Sequence, residues 1–514
     1  MINFYPERKI DMLKERTAYT SDAADMHTAV AQCIQEGKSV SNELIERARY
    51  IAGMDRDDIK REKMASALLD ELDALPVEAG YLYDEPSGLQ DIKAARPGAS
   101  SGARPEANHG ASPGKSPGAR PEAGPGEGAM PSLGEFKFDK AKAYDKIYGA
   151  WLGRCAGCLL GQPVEGWTRE RIDGLLKATG SYPLRYYISS DISEDIKAKY
   201  GVADKVSGAI NSTINWINNV KHAPEDDDTN YTILGLKILE DYGPDFTPED
   251  VAESWLLNLP ILHVCTAEMV AYKNLVNRIW PPFSGSTRNP YREFIGAQIR
   301  ADFFGYVNPG NPELAAEMGW RDASISHVKN GIYGEMFVAA MLAAAAAVDD
   351  PEEIIRCGLS QIPEKCRLAE KVRLVMEWKR KGKTWQEAIA DIHREYDEKL
   401  SIHLTHTITN AMLVCIGLLY GETDLGKSIC IAVEGAFDTD CNGATVGSIV
   451  GMIRGAGALP EKWIKPFNDT LKSGVDGFGM VKISELAGRT LKIAENIRNA
   501  GLSPRERRNG VKYD

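Results

Sequence analysis

Apolar residues along positions 134–514 recur three and four apart, and the alternation of a half-buried strand is scarce. "NYTILGLKILEDYG" sets Tyr231, Leu234, Ile238 and Tyr242 on one stripe and stops at Gly243, a natural helix C-cap. "GEMFVAAMLAAAAAV" is apolar nearly all round, as a helix enclosed by others would be. These patterns predict one large all-α domain over 134–514. The first 88 residues carry the same period. In "SVSNELIERARYIAGM", Ser41 offers an N-cap and Leu44, Ile45, Ala48 and Ile51 an apolar face, which predicts a small helical unit with no chemistry attached. From 89 to 133 the composition turns to Pro, Gly, Ala and Ser, and "GARPEA" occurs twice. Such a segment buries too little apolar area to offset its ordering entropy, so the expectation is a disordered linker.

Two predicted helices carry a glycine at every fourth position: Gly149, Gly153, Gly157 and Gly161 in the first, Gly443, Gly447, Gly451 and Gly455 in the second. That spacing lines each set up in one row. A glycine inside a helix costs about 0.5–1 kcal/mol relative to alanine, so each row calls for compensation by close backbone packing. Arg154 and Arg454 interrupt both segments and argue against a membrane reading of the spacing. Each row also lies beside acidic residues. Glu165 follows the first, and "FDTDCN" precedes the second.

The chain has 514 residues, 43% hydrophobic and 26% charged, the balance of a soluble globular protein. A net charge of -12 argues against general nucleic-acid binding and against anionic membranes. The longest apolar run, Phe337 to Val348, falls short of the ~20 residues that span a bilayer. "MINFYPERKID" lacks the apolar core of a leader, so the expected compartment is the cytoplasm. Cys155 and Cys158 form a lone C-x-x-C with no second pair, weak support for a zinc or redox site. Oligomeric state is not legible.

"PEDDDTNYT" crowds Glu225, Asp226, Asp227 and Asp228 just before a helix. One of them serves as a cap, since a helix start favours anions, but three exceed that need. Asp438 and Asp440 form a second cluster at another helix start. Solvated caps are one reading of both. The other is that the clusters meet around hard divalent cations, Mg²⁺ or Mn²⁺, which carboxylate oxygens suit better than zinc.

Together, "GCLLGQPVE", "DDDT" and "GAFDTDC" resemble, in order and separation, the motifs of the ADP-ribosylglycohydrolase family; "RDASISHVKNGIYGEMF" is similar to a further family stretch and sets its histidine at His327. The resemblance runs from about Asp145 to Arg498. It implies an orthogonal all-α fold, two Mg²⁺ or Mn²⁺ ions, and a cleft for ADP-ribose or an ADP-ribosylated substrate. The implied metal ligands are Asp226, Asp227, Asp228, Asp438 and Asp440, with Glu165 and Asp227 as the catalytic acid–base candidates. Three positions depart from the pattern. Asp226 stands where the family has Thr, Cys441 where a Thr or Ser ligand is usual, and Cys158 in place of Asp. Sulfur suits Mg²⁺ poorly, so Asn442 or a backbone carbonyl is the candidate replacement for Cys441.

Substrate contacts are expected from Gly285 and Ser286 in "PFSGSTRNP", and from Arg300, His327 and Tyr333. For each of these a bland reading stands beside the functional one: a surface loop, a satisfied buried histidine, a core tyrosine. The leading expectation is a metal-dependent hydrolase releasing ADP-ribose. The alternatives are another two-metal hydrolase of phosphoesterase type, or a non-catalytic ADP-ribose-binding relative.

Overall fold

Ser41 accepts a hydrogen bond from the Leu44 amide and starts the Asn42–Ala52 helix, with Ala48 and Ile51 buried, as the local pattern predicts. The structure is a computed structural model and describes residues 17–99, 138–203 and 215–500. The helices Met26–Gln35, Asn42–Ala52 and Ile59–Ala74 close a small core of their own around Met26, Cys33, Leu68 and Leu72. Buried ion pairs fasten that unit to the rest of the chain. Glu36 meets Arg292 at 2.7 Å and Lys329 at 2.9 Å, and Asp22 meets Lys273 at 2.5 Å.

The segment expected as a linker from 89 to 133 begins instead as a helix, Leu89–Ala95. Ile92 is fully buried in the main core, and Lys93 pairs with Glu317 at 2.9 Å. Those contacts offset the ordering entropy that the surrounding composition alone cannot. The "GARPEA" repeats lie outside the described residues.

The main body is all-α. The Lys329–Ala345 and Thr407–Gly421 helices are buried along almost their whole length, which explains sequences apolar on every side. The Asp227–Tyr242 helix ends at Gly243, whose φ of +77° suits a residue without a β-carbon. Among the described residues the one sheet is a short antiparallel pair, Thr470–Lys472 with Met480–Lys482. Its first strand also holds Ala223: the Ala223 amide donates to Thr470 at 2.8 Å, and the Lys472 amide to Ala223 at 2.9 Å. The acidic run follows directly, so this clamp fixes its approach. No helix among the described residues is long and apolar enough to cross a membrane.

Candidate active site

The two glycine rows face each other. The Lys140–Gly161 and Thr439–Arg454 helices make the most extensive helix–helix contact among the described residues. A β-carbon on Gly149 would lie 2.4 Å from the Gly451 carbonyl oxygen, on Gly153 2.0 Å from that of Gly447, and on Gly157 1.8 Å from that of Gly443. The pairing is antiparallel, so the end of the first helix abuts the start of the second. Thr439 secures the junction, its hydroxyl donating to the Gly161 carbonyl at 2.9 Å. Gly455 is not part of the row. It caps the second helix at φ +74°, against Asp145.

This junction brings Glu165, just past the first helix, to Asp438 and Asp440, and one ligand atom from each lies within 4.8 Å of the others. The Asp227–Tyr242 helix supplies the third arm. Asp226 caps it, accepting from the Asp228 amide at 3.0 Å, and the Gln162 side-chain amide donates to Asp226. Asp228 is fully buried beneath, and Arg154, the one charged residue within the first glycine row, holds it in place. Its guanidinium donates to Asp228 Oδ1 at 2.9 Å and to the Asp228 carbonyl at 2.7 and 2.9 Å, and reaches Asp302 at 2.8 Å.

Three overlapping groups result: Cys158 with Asp226 and Asp228, Asp228 with Asp440 and Cys441, and Glu165 with Asp438 and Asp440. Asp228 and Asp440 are shared, which chains the groups together. Asp228 Oδ2, Asp438 Oδ1 and Asp440 Oδ1 are buried and have no hydrogen-bond partner. Burial, then the charges of Glu165 and Asp226, holds the Asp440 carboxyl well above the usual carboxylate range. Burial raises Asp228 in the same way despite Arg154. Glu165 is reached by solvent yet closely surrounded; loss of water around it, then Asp438 and Asp226, pushes its carboxyl up to about 8. Bare anions are poorly sustained in such a place, and a cation among them satisfies both charge and open oxygens. The donor set therefore fits divalent ions.

Not every expected residue joins these groups. Asp227 is half-buried and belongs to none of the three, and its carboxyl is raised by burial and by Asp226, Asp228 and Glu165. Glu225 turns away to His263 at 2.5 Å and Lys472 at 3.3 Å. Asn442 donates to Asn410 at 2.8 Å and leaves its own amide oxygen buried and unpartnered, as a substitute ligand for Cys441 would require.

None of the five expected substrate contacts belongs to the three acidic groups. Arg300 is buried, its guanidinium committed to Asp322 and to Glu268 at 2.7 Å, with the Trp255 ring 5.0 Å away. Tyr333 is fully buried and donates its hydroxyl to the Pro86 carbonyl, so the core reading applies. A β-carbon on Gly285 would lie 2.9 Å from the His327 amide nitrogen, which makes that glycine a packing residue. Ser286 and His327 line a cavity of about 540 Å³ with Trp320, Phe283 and Thr247, whose walls include none of the acidic cluster. A motif places residues along the chain, while buried partners, Asp322 and Glu268 for Arg300 and the Pro86 carbonyl for Tyr333, decide which way they face. The sequence reading does not assign Arg154, Gln162 or Asn410 to the site. For Arg154 a signal exists, a lone cation within a row of small residues.

No curated protein matches the chain. Among solved structures, an "ADP-ribosylglycohydrolase-related protein complex" is 17% identical, with a TM-score of 0.38 over 69% of this chain and 99% of that one. The sequence model of the ADP-ribosylglycohydrolase family matches residues 139–498, from the N-cap of the first glycine-row helix to the last turn of the Ile483–Asn499 helix. Spanning both glycine rows and all three acidic arms, that match makes the chain a member of the ADP-ribosylglycohydrolase family.

Proposed function

We propose that this chain hydrolyses the glycosidic bond joining ADP-ribose to a protein, nucleic acid or small molecule, with divalent cations held by Asp226, Asp228, Asp438 and Asp440. The observation that carries the reading is the set of buried, unpartnered oxygens on Asp228, Asp438 and Asp440, grouped with an accessible Glu165. Bound cations would supply the positive charge that orients ribose hydroxyls and makes water more acidic.

The remaining work falls to the side chains. Water adds to the anomeric carbon as the bond to the leaving group breaks, through an oxocarbenium-like state. Glu165, at the solvent-reached edge of the cluster, is placed to take the proton of that water. Asp227, whose carboxyl is raised by burial and by Asp226, Asp228 and Glu165, is the proposed donor to the leaving group. Arg154 keeps Asp228 aimed inward and compensates part of the negative charge. A phosphoesterase-type site would draw imidazole into the cluster. His263 pairs with Glu225 instead, and His327 lies 4.0 Å from Glu268, so that reading is not favoured.

The test is calorimetric titration of ADP-ribose into the protein with Mg²⁺, Mn²⁺ or Co²⁺, then with EDTA, repeated for Asp440→Ala. Binding that requires both a cation and Asp440 is expected, and cation-independent binding would remove the reading.

A further inference from the structure

Cys158 and Cys441 lie at the same end of the tightest glycine crossing, one on each helix. Cys158 follows Gly157, Cys441 lies two residues before Gly443, and a β-carbon on Gly157 would be 1.8 Å from the Gly443 carbonyl oxygen. The close approach of backbone therefore carries both thiols into the acidic cluster, one from each helix. Each sulfur joins two carboxylates: Cys158 with Asp226 and Asp228, Cys441 with Asp228 and Asp440, all ligand atoms within 4.8 Å of one another. Ligand atoms around one tetrahedral zinc-sized ion stand roughly 3.5 Å apart, given metal–sulfur bonds near 2.3 Å and metal–oxygen bonds near 2.0–2.2 Å. Each set thus offers three donors of a tetrahedral shell once its side chains draw together, and leaves the fourth position open.

The cluster is more than acidic surface. Asp228 is 0% exposed and Asp440 3%, and each turns an unpartnered oxygen into it. Asp228 is common to both sets, with its other oxygen tied to Arg154 at 2.9 Å. The arrangement is therefore two neighbouring positions that share one carboxylate, each with one sulfur.

The geometry points to a thiophilic divalent cation of the zinc class at these positions, held by Cys158, Asp226 and Asp228 and by Asp228, Asp440 and Cys441, in preference to Mg²⁺. Mixed thiolate and carboxylate donors suit zinc-like ions, whereas Mg²⁺ demands near-octahedral oxygen and releases its waters reluctantly. On binding, each S–H becomes a thiolate bonded to the ion and its proton leaves to solvent. This inference rests on the cation-dependent reading above and specifies which cation that reading uses.

Cobalt(II), a zinc substitute with visible spectra, is titrated into the full chain after treatment with EDTA. The expected result is a sulfur-to-cobalt charge-transfer band that excess Mg²⁺ does not remove. Cys158→Ser and Cys441→Ser each weaken the band. The double variant abolishes it and lowers cobalt affinity at least roughly tenfold, while Cys265→Ser retains it. Circular dichroism checks that the variants fold. Should the double variant fail to fold, the single variants and the unmodified protein's competition with Mg²⁺ decide the matter. Cobalt binding without a sulfur band, or ready displacement by Mg²⁺, would overturn the inference and leave cation-dependent ADP-ribose binding standing. Failure of every divalent cation to bind would sink both.

Discussion

A β-carbon on Gly157 would lie 1.8 Å from the carbonyl oxygen of Gly443, a contact between two backbones that no rotamer change relieves. Gly157→Ala is therefore expected to destabilise the protein by about 3 kcal/mol or to prevent folding. Gly488 provides the control. It lies inside the Ile483–Asn499 helix and, its own helix backbone aside, no described heavy atom lies within 4 Å of where a β-carbon would stand, so Gly488→Ala should be neutral or add about 0.5–1 kcal/mol. Denaturant melts of both variants check the pair. Equal effects would mean the row is not a packing seam.

Arg154 and Asp228 are both fully buried, 2.9 Å apart, and Arg154 also reaches Asp302 at 2.8 Å. Removing one partner of a buried ion pair leaves an uncompensated charge, at a cost of about 3–5 kcal/mol. Arg154→Met should lower stability by that order in EDTA. Saturating divalent cation should restore part of it, because positive charge returns to the same cluster. A thermal scan with and without cation reads both effects.

How much of this is legible in the sequence follows the range of each interaction. The Ser41 cap, the helical stripe ending at Gly243 and the acidic helix starts at Asp226 and Asp438 are local, and each is visible within a few residues. The glycine rows announce a seam, and their antiparallel pairing sets Glu165 beside Asp438. What cannot be read is the choice of distant partners. Arg300 is taken up by Asp322 and Glu268, Tyr333 by Pro86, and Glu36 by Arg292, each through burial that no spacing encodes. The Leu89–Ala95 helix is hidden for a related reason: its stability comes from Ile92 in a core built by residues far along the chain.

Glu165 gives a pH signature. Its carboxyl titrates near 8 in the cation-free protein, against 4.5 for the ordinary group. Between those values the folded state holds a proton that the unfolded chain has lost, so stability falls as pH rises from about 4.5 to 8. The raised carboxyls of Asp228 and Asp440 act in the same direction. A bound cation favours the ionised forms and removes the penalty. The expected outcome is a falling melting temperature across that window in EDTA and a flatter profile with saturating cation. Glu165→Gln should also flatten the EDTA profile. A profile that rises with pH in EDTA would contradict the assignment.

Arg292 carries a prediction about the N-terminal unit. It pairs with Glu36 at 2.7 Å with both side chains nearly fully buried, and Lys329 joins Glu36 at 2.9 Å. These pairs connect residues 17–74 to the segment that includes Gly285 and His327. Arg292→Ala leaves Glu36 buried with Lys329 as its one cation and the Gln32 amide as a neutral donor, which should cost about 3 kcal/mol at the interface. The small unit keeps its own core around Met26, Cys33 and Leu72, so the expected failure is undocking rather than collapse. Limited proteolysis should then cut between residues 75 and 99 faster than in the unmodified protein. The cation cluster shares no residue with this interface, so cobalt affinity should stay within about twofold. Loss of cation binding on undocking would show instead that the N-terminal unit shapes the acidic cleft.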